Sequence, residues 1–149
     1  MSWREFITPA RISTGVEITS RREAIQMLAQ LIARDLNIEA APLQASLEAR
    51  EKLGSTAIGK GVALPHAKSA SVLQPVGAML VLSKPLSCAS PDDVPVDMFI
   101  GFLVAAEGGD FGFLSQLARH LREETLLREL RRAETPDQAH MKLTSRRSP

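Results

Sequence analysis

Two uninterrupted apolar runs constrain the fold of this chain more than any other feature of its sequence. Residues 76–82 (VGAMLVL) and 98–104 (MFIGFLV) contain no polar or charged side chain. A strand with one wet face alternates apolar and polar residues, whereas a strand covered on both faces is a continuous apolar run. Runs this short cannot cross a bilayer, which needs about 20 apolar residues. The sequence therefore predicts covered central strands, a third strand-like segment at 61–64, and no insertion into a membrane.

Helical patterns stand before these strands. Ser20 and Glu23 form an S-x-x-E capping box, and the apolar residues that follow recur every three or four positions. Asn37 is placed to end this helix. A second helix is predicted from Pro42 to the residue before Gly54, because proline suits a first helical position and glycine suits a left-handed residue at the end.

Helical patterns return after the last strand. Asp110 is predicted to cap a helix, residues 126–130 mark another, and Thr135-Pro136 reads as a cap followed by a first-turn proline. Helices before and after the strands predict an α/β fold with helices packed on both faces of a central sheet. With 149 residues, 44% of them hydrophobic, the chain suits a single domain over 1–149, about 5–145 of it ordered.

Charge and composition exclude several classes of function. The chain has 18 basic and 17 acidic side chains of interspersed sign, so no nucleic-acid partner is expected. The basic residues between Lys142 and Arg147 are interpreted as a solvated chain end. A single cysteine excludes an internal disulfide, and three histidines without ligand spacing predict neither a metal nor another cofactor. The first residues lack an apolar leader, which favours a cytoplasmic protein.

The segment GSTAIGKG, residues 54–61, fits the start of a nucleotide-binding phosphate loop, G-x-x-x-x-G-K. Such a loop follows a strand, opens a helix and places a Ser or Thr hydroxyl after the lysine for a magnesium ion. Here a predicted helix precedes the segment, Gly61 follows Lys60, and Pro65 soon opposes a helix. Lys60 is therefore not expected to bind a nucleotide.

The glycines of this segment need another explanation. Gly54, Gly59 and Gly61 can adopt positive φ and turn their N–H groups toward one point. Such nests of amides attract anions, and Ser55 and Thr56 add hydroxyl donors. The alternative is that the glycines only shape a turn and a hairpin.

His66 lies just beyond these glycines. Imidazole is substantially neutral near pH 7 while still nucleophilic, and its ring nitrogen can attack a phosphoryl group. That reaction needs an exposed ring in one tautomer and donors for the incoming oxygens. Pro65 stiffens the approach to His66, and Lys68 offers a nearby positive charge. We therefore predict a phosphoryl-accepting histidine; the alternative is a structural histidine.

Residues 50–66, REKLGSTAIGKGVALPH, resemble the active-site signature of the fructose/mannitol-type enzyme IIA domains of the bacterial phosphotransferase system, and within that group the nitrogen-regulatory branch. The pattern is long and ungapped, and the helix and strand signals of the rest of the chain fall in family order. The resemblance implies a mixed β-sheet sandwiched between helices on both faces.

The resemblance also implies a function. The histidine matching His66 accepts a phosphoryl group from a histidine-containing phosphocarrier protein. Nitrogen-regulatory members act by binding partners, such as potassium-transport components and sensor kinases, according to phosphorylation state. Arg50 matches a family arginine near the active site, where a guanidinium can pair with phosphate oxygens; otherwise it is a solvated residue at a helix end.

One family feature is missing. The family usually carries a second histidine at the start of the helix after the last long strand, and that position falls at Asp110, within a residue or two. A carboxylate there could hold the tautomer of His66 but would repel a bound phosphoryl group. We therefore expect slower phosphorylation or a less stable phosphohistidine, unless Asp110 is only a helix cap. His120, about 15 Å further along a helix, is not expected to substitute.

Three functions remain open from the sequence. The first is a phosphoryl-accepting regulatory domain of the nitrogen type, and the second is a sugar-transport enzyme IIA, which would pass the phosphoryl group to an enzyme IIB. The third is a non-phosphorylated binding module of the same fold. A Ser/His hydrolase is disfavoured, because Ser55 does not lie in a G-x-S-x-G elbow. The sequence leaves a homodimer open.

Overall fold

A computed structural model of the protein describes residues 1–145. The α-helices are α1 (Trp3–Phe6), α2 (Arg21–Leu36), α3 (Ala40–Glu51), α4 (Gly112–His120), α5 (Glu124–Arg132) and α6 (Pro136–Thr144). The strands are β1 (Ile12–Val16), β2 (Ala57–Gly59), β3 (Val62–Ala63), β4 (His66–Ser69), β5 (Val76–Leu86) and β6 (Val96–Ala105). No helix within 1–145 is both long and apolar enough to span a lipid bilayer.

The strands form one open, mixed sheet. Its order is β1-β5-β6-β3-β2, and β4 pairs with β6. The long strands β5 and β6 are antiparallel, whereas β1 runs parallel to β5, and β3 and β4 both run parallel to β6. Because β3 and β4 pair with successive parts of β6, the chain between them stays close to the sheet. The predicted α/β fold with a mixed sheet is confirmed.

Side chains alternate between two cores along the central strands. In β5, Ala78 and Leu80 face the core under α2 and α3, while Met79 and Val81 face the core under α1, α4, α5 and α6. Each fully buried aliphatic side chain contributes about 1.5–3 kcal/mol to folding. Cover on both faces explains why residues 76–82 of β5 and 98–104 of β6 contain no polar residue.

The predicted strands are present, with different ends. The 61–64 segment forms the short β3, and β6 extends its predicted range by one or two residues at each end. Strand β5 continues to Leu86, past Pro85, although the apolar run ends at Leu82. The pairing register with β6 shifts between Val81 and Leu86, and such an irregularity tolerates a proline that cannot donate a ladder hydrogen bond.

The helix signals are also confirmed in part. Ser20 Oγ accepts the Glu23 N–H at 3.1 Å, but the Glu23 carboxylate accepts the Thr19 hydroxyl instead of completing the box. Asn37 ends α2 in the left-handed conformation, with φ 56°. Helix α3 begins at Ala40, so Pro42 is its third residue, where the backbone N–H has no helical partner anyway.

The last two helices agree with the sequence. Residues 126–130 lie within α5, and Thr135 Oγ1 caps α6 by accepting the Gln138 N–H at 3.2 Å. Lys142, at the start of the basic stretch, lies in α6 and forms an ion pair with Glu129. The other two basic residues of that stretch, Arg146 and Arg147, lie outside the described residues.

Candidate functional site

His66 is the first residue of β4, and the sheet fixes its backbone. It lies opposite Phe102 of β6, and the Phe102 N–H donates to the Pro65 carbonyl at 2.9 Å. Before it, the Leu64 N–H donates to the Thr56 carbonyl at 3.0 Å, which ties the approach to the preceding loop. The proline between these two anchors has no N–H to satisfy. The histidine therefore stands at a rigid point of the chain.

A backbone carbonyl orients the imidazole ring. The Nδ1 atom of His66 lies 2.8 Å from the Leu64 carbonyl oxygen. A carbonyl can only accept, so Nδ1 carries the proton of the neutral ring. The lone pair is then on Nε2, which has no hydrogen-bond partner within residues 1–145. The half-buried ring thus presents one defined nucleophilic nitrogen.

An aromatic side chain stands beside the ring. Phe111 meets His66 edge-on, with ring centroids 5.2 Å apart and an interplanar angle of 74°. Asp110 does not take this place: its Oδ1 accepts the N–H of Gly112, the first residue of α4, at 2.8 Å. The carboxylate thus caps the helix start, one residue ahead of the usual capping position. The predicted role of Asp110 in holding the His66 tautomer falls instead to the Leu64 carbonyl.

His66 separates two open hollows. The first, of about 320 Å³, lies between the 54–58 loop and α4, and is lined by Arg50, Ser55, Thr56, Ala57, Ile58, Leu64, His66, Leu114, Ser115 and Ala118. The second, of about 480 Å³, lies against α3 and is lined by Ser46, Ala49, Arg50, Leu53, His66, Ala67, Lys68 and Phe111.

The charges around His66 are of one sign. Arg50 lines both hollows, and Lys68 lines the second. Lys68 follows His66 by two positions in β4, so both side chains lie on one face of the strand. None of the lining residues, all within 1–145, is acidic. The surroundings of His66 therefore favour an anion.

The two predicted hydroxyl donors have partners within the protein. The Ser55 hydroxyl donates to the Ala89 carbonyl at 2.6 Å, and Ser55 Oγ accepts the Ala57 N–H at 3.2 Å. The buried Thr56 hydroxyl donates to Glu51 Oε1 at 2.5 Å. Both residues line the first hollow, but in this arrangement their hydroxyls hold the loop in shape. Phosphate binding by these hydroxyls stays a prediction.

Two of the predicted glycines serve a turn. Gly59, Lys60 and Gly61 all have positive φ, at 96°, 57° and 80°, and form the tight turn between β2 and β3. A Cβ at Gly59 would lie 3.1 Å from the Asp92 carboxylate, and one at Gly61 would lie 2.6 Å from the Arg131 guanidinium. Neither glycine lines a hollow beside His66. The two glycines thus shape the turn of the β2–β3 hairpin, which is the alternative that the sequence analysis left open.

Lys60 is part of the same turn. Its ammonium donates to the Arg122 carbonyl at 3.1 Å, and its backbone N–H donates to Asp92 at 2.8 Å. The segment leads into a hairpin instead of a helix, which agrees with the expectation that no nucleotide binds at Lys60. Gly54, at φ 148°, lies in the turn after α3.

The other two histidines contact residues near the start of the chain. His120 stacks on Trp3 with centroids 4.6 Å apart, and His140 lies 3.0 Å from the Ile7 carbonyl. Neither lines the hollows of His66. Within 1–145, no group of three or more His, Cys, Asp or Glu residues is arranged to hold a metal ion.

The fold and the half-buried His66 place the protein among the enzyme IIA domains. The chain superposes on the nitrogen regulatory protein IIA-Ntr from Neisseria meningitidis with a TM-score of 0.84 and 29% identity, covering 94% of this chain and 97% of that one. Enzyme IIA mannitol from Escherichia coli superposes with a TM-score of 0.76 at 20% identity, covering 91% and 97%, which shows a shared fold alone.

Sequence comparison identifies the family. The model of the phosphoenolpyruvate-dependent sugar phosphotransferase system EIIA 2 family matches residues 5–145, so the chain belongs to this family. Among similar relatives, the nitrogen regulatory protein of Pseudomonas aeruginosa is 34% identical over 136 residues, which cover 89% of this chain and 88% of the relative. That of Escherichia coli is 31% identical over 132 residues, covering 87% and 81%. The predicted resemblance to the nitrogen-regulatory branch is confirmed.

Proposed function

We propose that this protein is a phosphoryl-accepting regulator of the nitrogen branch of the phosphotransferase system. A histidine-containing phosphocarrier protein phosphorylates it on His66, and the phosphorylation state decides which partner proteins it binds. Potassium-transport components and sensor kinases are the partner classes that the resemblance suggests, and the cytoplasm is the expected location. Relatives called nitrogen regulatory protein, similar over most of their length, support the regulatory role over sugar transport.

One observation carries the proposal. The Leu64 carbonyl holds the proton on Nδ1 of His66, which leaves Nε2 as an unpartnered nucleophile between hollows that contain only basic charge. Nucleophilic catalysis by a side chain needs this combination of a fixed tautomer and an accessible lone pair.

The phosphoryl transfer needs no reactant other than the phosphorylated carrier and His66. The Nε2 lone pair of His66 attacks the phosphorus of the carrier's phosphohistidine, a new P–N bond forms, and the carrier's P–N bond breaks with its electron pair returning to the carrier ring. The His66 ring becomes cationic while Nδ1 keeps its proton, and the carbonyl dipole of Leu64 stabilises that charge. The same steps in reverse return the phosphoryl group.

Arg50 and Lys68 are proposed to stabilise the phosphoryl oxygens. The Arg50 Nη1 atom donates to the Gly54 carbonyl at 3.1 Å, and this bond uses one of the five guanidinium donors. Lys68 is exposed and has no hydrogen-bond or ion-pair partner within 1–145. An exposed cation beside a dianion lowers the barrier to transfer and slows loss of the group.

Intact-mass spectrometry tests the proposal. The purified protein is incubated with the phosphoenolpyruvate-driven phosphocarrier chain, and the wild type is expected to gain one phosphoryl group per molecule. His66→Gln should gain none, because glutamine has no nucleophilic nitrogen. His140→Gln is the matched control: it changes a histidine that bonds the Ile7 carbonyl, and it should be phosphorylated like the wild type.

The same measurement separates the alternatives. If the wild type gains no phosphoryl group from any carrier, the protein is the non-phosphorylated binding module. If His66→Gln is still phosphorylated, another residue is the acceptor and the proposed site is wrong. If the phosphorylated protein passes its group to a sugar-transport enzyme IIB, the transport function replaces the regulatory one.

A further inference from the structure

A second groove lies away from His66, along one side of α5. We call it the α5 groove. It has a volume of about 550 Å³ and runs between α5, the β2–β3 turn and the segment that leads into β6. Its lining residues are Lys60, Pro85, Val94, Pro95, Asp97, Glu124, Leu127, Arg128, Arg131 and Arg132. It shares no residue with the two hollows around His66.

The groove carries an excess of positive charge that the protein does not neutralise. Four of its lining residues are basic and two are acidic. Both acids already have partners: Asp97 bonds Arg131 at 2.7 Å, and Glu124 lies 3.6 Å from the ammonium of Lys60. The net positive charge of the groove therefore lies on the two remaining arginines.

Arg128 and Arg132 are those arginines. Both are exposed, and neither has a hydrogen-bond or ion-pair partner within residues 1–145. They lie four positions apart in α5, where like charges repel and destabilise a helix by about 0.2–0.5 kcal/mol. Glu129, on the same helix, pairs with Lys142 instead. The sequence thus places two uncompensated guanidinium groups on one wall of the groove.

Outside α5, the groove is lined by Lys60 and Asp97 and by a stiff apolar wall of Pro85, Val94 and Pro95. Both prolines are exposed, and Val94 is 41% exposed. Proline rings fix φ, so this wall loses little conformational entropy when something binds against it. A groove with one basic and one apolar wall matches a ligand that is acidic on one side and apolar on the other.

We propose that the α5 groove binds an extended acidic segment of a partner protein. In an extended chain, successive side chains point to opposite sides, and alternate ones are about 6.6 Å apart. Arg128 and Arg132 are separated by about 6 Å of helix rise. Acidic residues at alternate positions therefore meet the two arginines, and apolar residues between them meet the prolines and Val94.

Fluorescence anisotropy with a designed peptide tests this binding. The probe is a labelled, blocked peptide of sequence Gly-Glu-Leu-Glu-Leu-Glu-Gly, titrated with the full chain. Arg128→Gln or Arg132→Gln should weaken binding about 3-fold each, and the double variant about 10-fold, as expected for exposed charge pairs. Binding should vanish near 1 M salt, where the screening length is about 3 Å.

Matched controls distinguish specific binding in the groove from nonspecific electrostatic attraction. Arg34→Gln removes an exposed arginine from the last turn of α2, outside the groove, and should leave the affinity unchanged. A peptide of the same composition with its three glutamates adjacent should bind several-fold more weakly. His66→Gln should bind the probe like the wild type, so failure of the phosphotransfer proposal would not affect this result.

Three outcomes would overturn the inference. The first is unchanged affinity in the Arg128→Gln/Arg132→Gln variant. The second is equal binding of the two peptides, which would show attraction by charge alone. The third is displacement of the probe by inorganic pyrophosphate at an equal or lower concentration, which would assign the groove to small phosphate-bearing anions.

Discussion

The His66 site and the α5 groove both include residues of the segment 54–66. They differ in whether backbone groups or charged side chains hold the site together. At His66, a backbone carbonyl and an aromatic edge define the position of the ring. In the groove, charged side chains form the structure: Arg131 bonds both Asp97 and the Lys60 carbonyl. The comparison shows that the number of charged residues in a segment does not reveal which chemistry that segment supports.

Physical reasons underlie this difference. A transferable phosphoryl group needs a neutral nucleophile of fixed tautomer, and a nearby carboxylate would repel the group after transfer. A partner-binding surface has no such restriction, and long-range attraction of opposite charge speeds its encounter. Backbone groups therefore hold the first site, and side chains of both signs hold the second.

The largest effect on stability is expected from Arg131→Ala. The change removes the partner of Asp97, whose side chain is only 20% exposed and whose Oδ1 already lacks a donor within 1–145. Loss of a partly buried pair should cost about 2 kcal/mol of unfolding free energy, measured by urea denaturation. Arg128→Ala on the same helix should cost less than about 0.5 kcal/mol. Equal effects of the two changes would remove the distinction between paired and unpaired arginines.

The next effect concerns the loop that lines the first hollow. Thr56→Val removes the hydroxyl that bonds Glu51, at a side chain 6% exposed. Leaving a carboxylate oxygen without this donor should cost about 1–2 kcal/mol. The exposed Thr125→Val is the control and should change the unfolding free energy by less than about 0.5 kcal/mol. A neutral Thr56→Val would show that the loop does not depend on Glu51.

Phe111 is expected to act as a positioning residue. Phe111→Leu keeps an apolar side chain but removes the ring edge beside His66, so the rate of phosphorylation should fall several-fold in a quench-flow assay. Phe113→Leu is the matched control, because Phe113 contacts Trp3, Phe6 and Phe102 but not His66. Its rate should stay near the wild-type value even if its stability falls. Equal rate losses in both variants would show a purely structural role for Phe111.

The smallest effect is a pH response at the β2–β3 turn. Hydrogen bonds from the backbone N–H groups of Lys60 and Val94 lower the pKa of Asp92. The stabilisation is complete above the ordinary pKa of an aspartate and is lost as the pH falls through the lowered value. The amide resonances of Lys60 and Val94 should therefore shift together below about pH 4. Asp92→Asn should abolish this shared titration, whereas Asp93→Asn should preserve it.

The fold was predictable where burial of a strand produces a recognisable apolar pattern in the sequence. Residues 76–82 of β5 and 98–104 of β6 are covered on both faces, so every residue in these two runs is apolar. Strand β4 was not predicted, because it alternates the outward His66 and Lys68 with the buried Ala67 and Ser69 over only four residues. Strand β1, with the sequence ISTGV, has only five residues and contains polar residues within it.

The site was predictable only in its side chains. The motif predicts His66 and Arg50 as site residues, but the Leu64 carbonyl that orients the ring is a backbone group that no sequence motif marks. Phe111 was missed because nothing in the sequence FGF tells which ring faces the histidine. Gly59 and Gly61 were ambiguous because an anion nest and a hairpin turn both need positive φ.

The most direct test of the account is the identity of the phosphorylated nitrogen. Long-range ¹H–¹⁵N NMR on the unphosphorylated protein should show the proton of His66 on Nδ1. Phosphorus–nitrogen coupling in the phosphorylated protein should then appear at Nε2. A phosphoryl group on Nδ1 would contradict the assigned tautomer and the role of the Leu64 carbonyl.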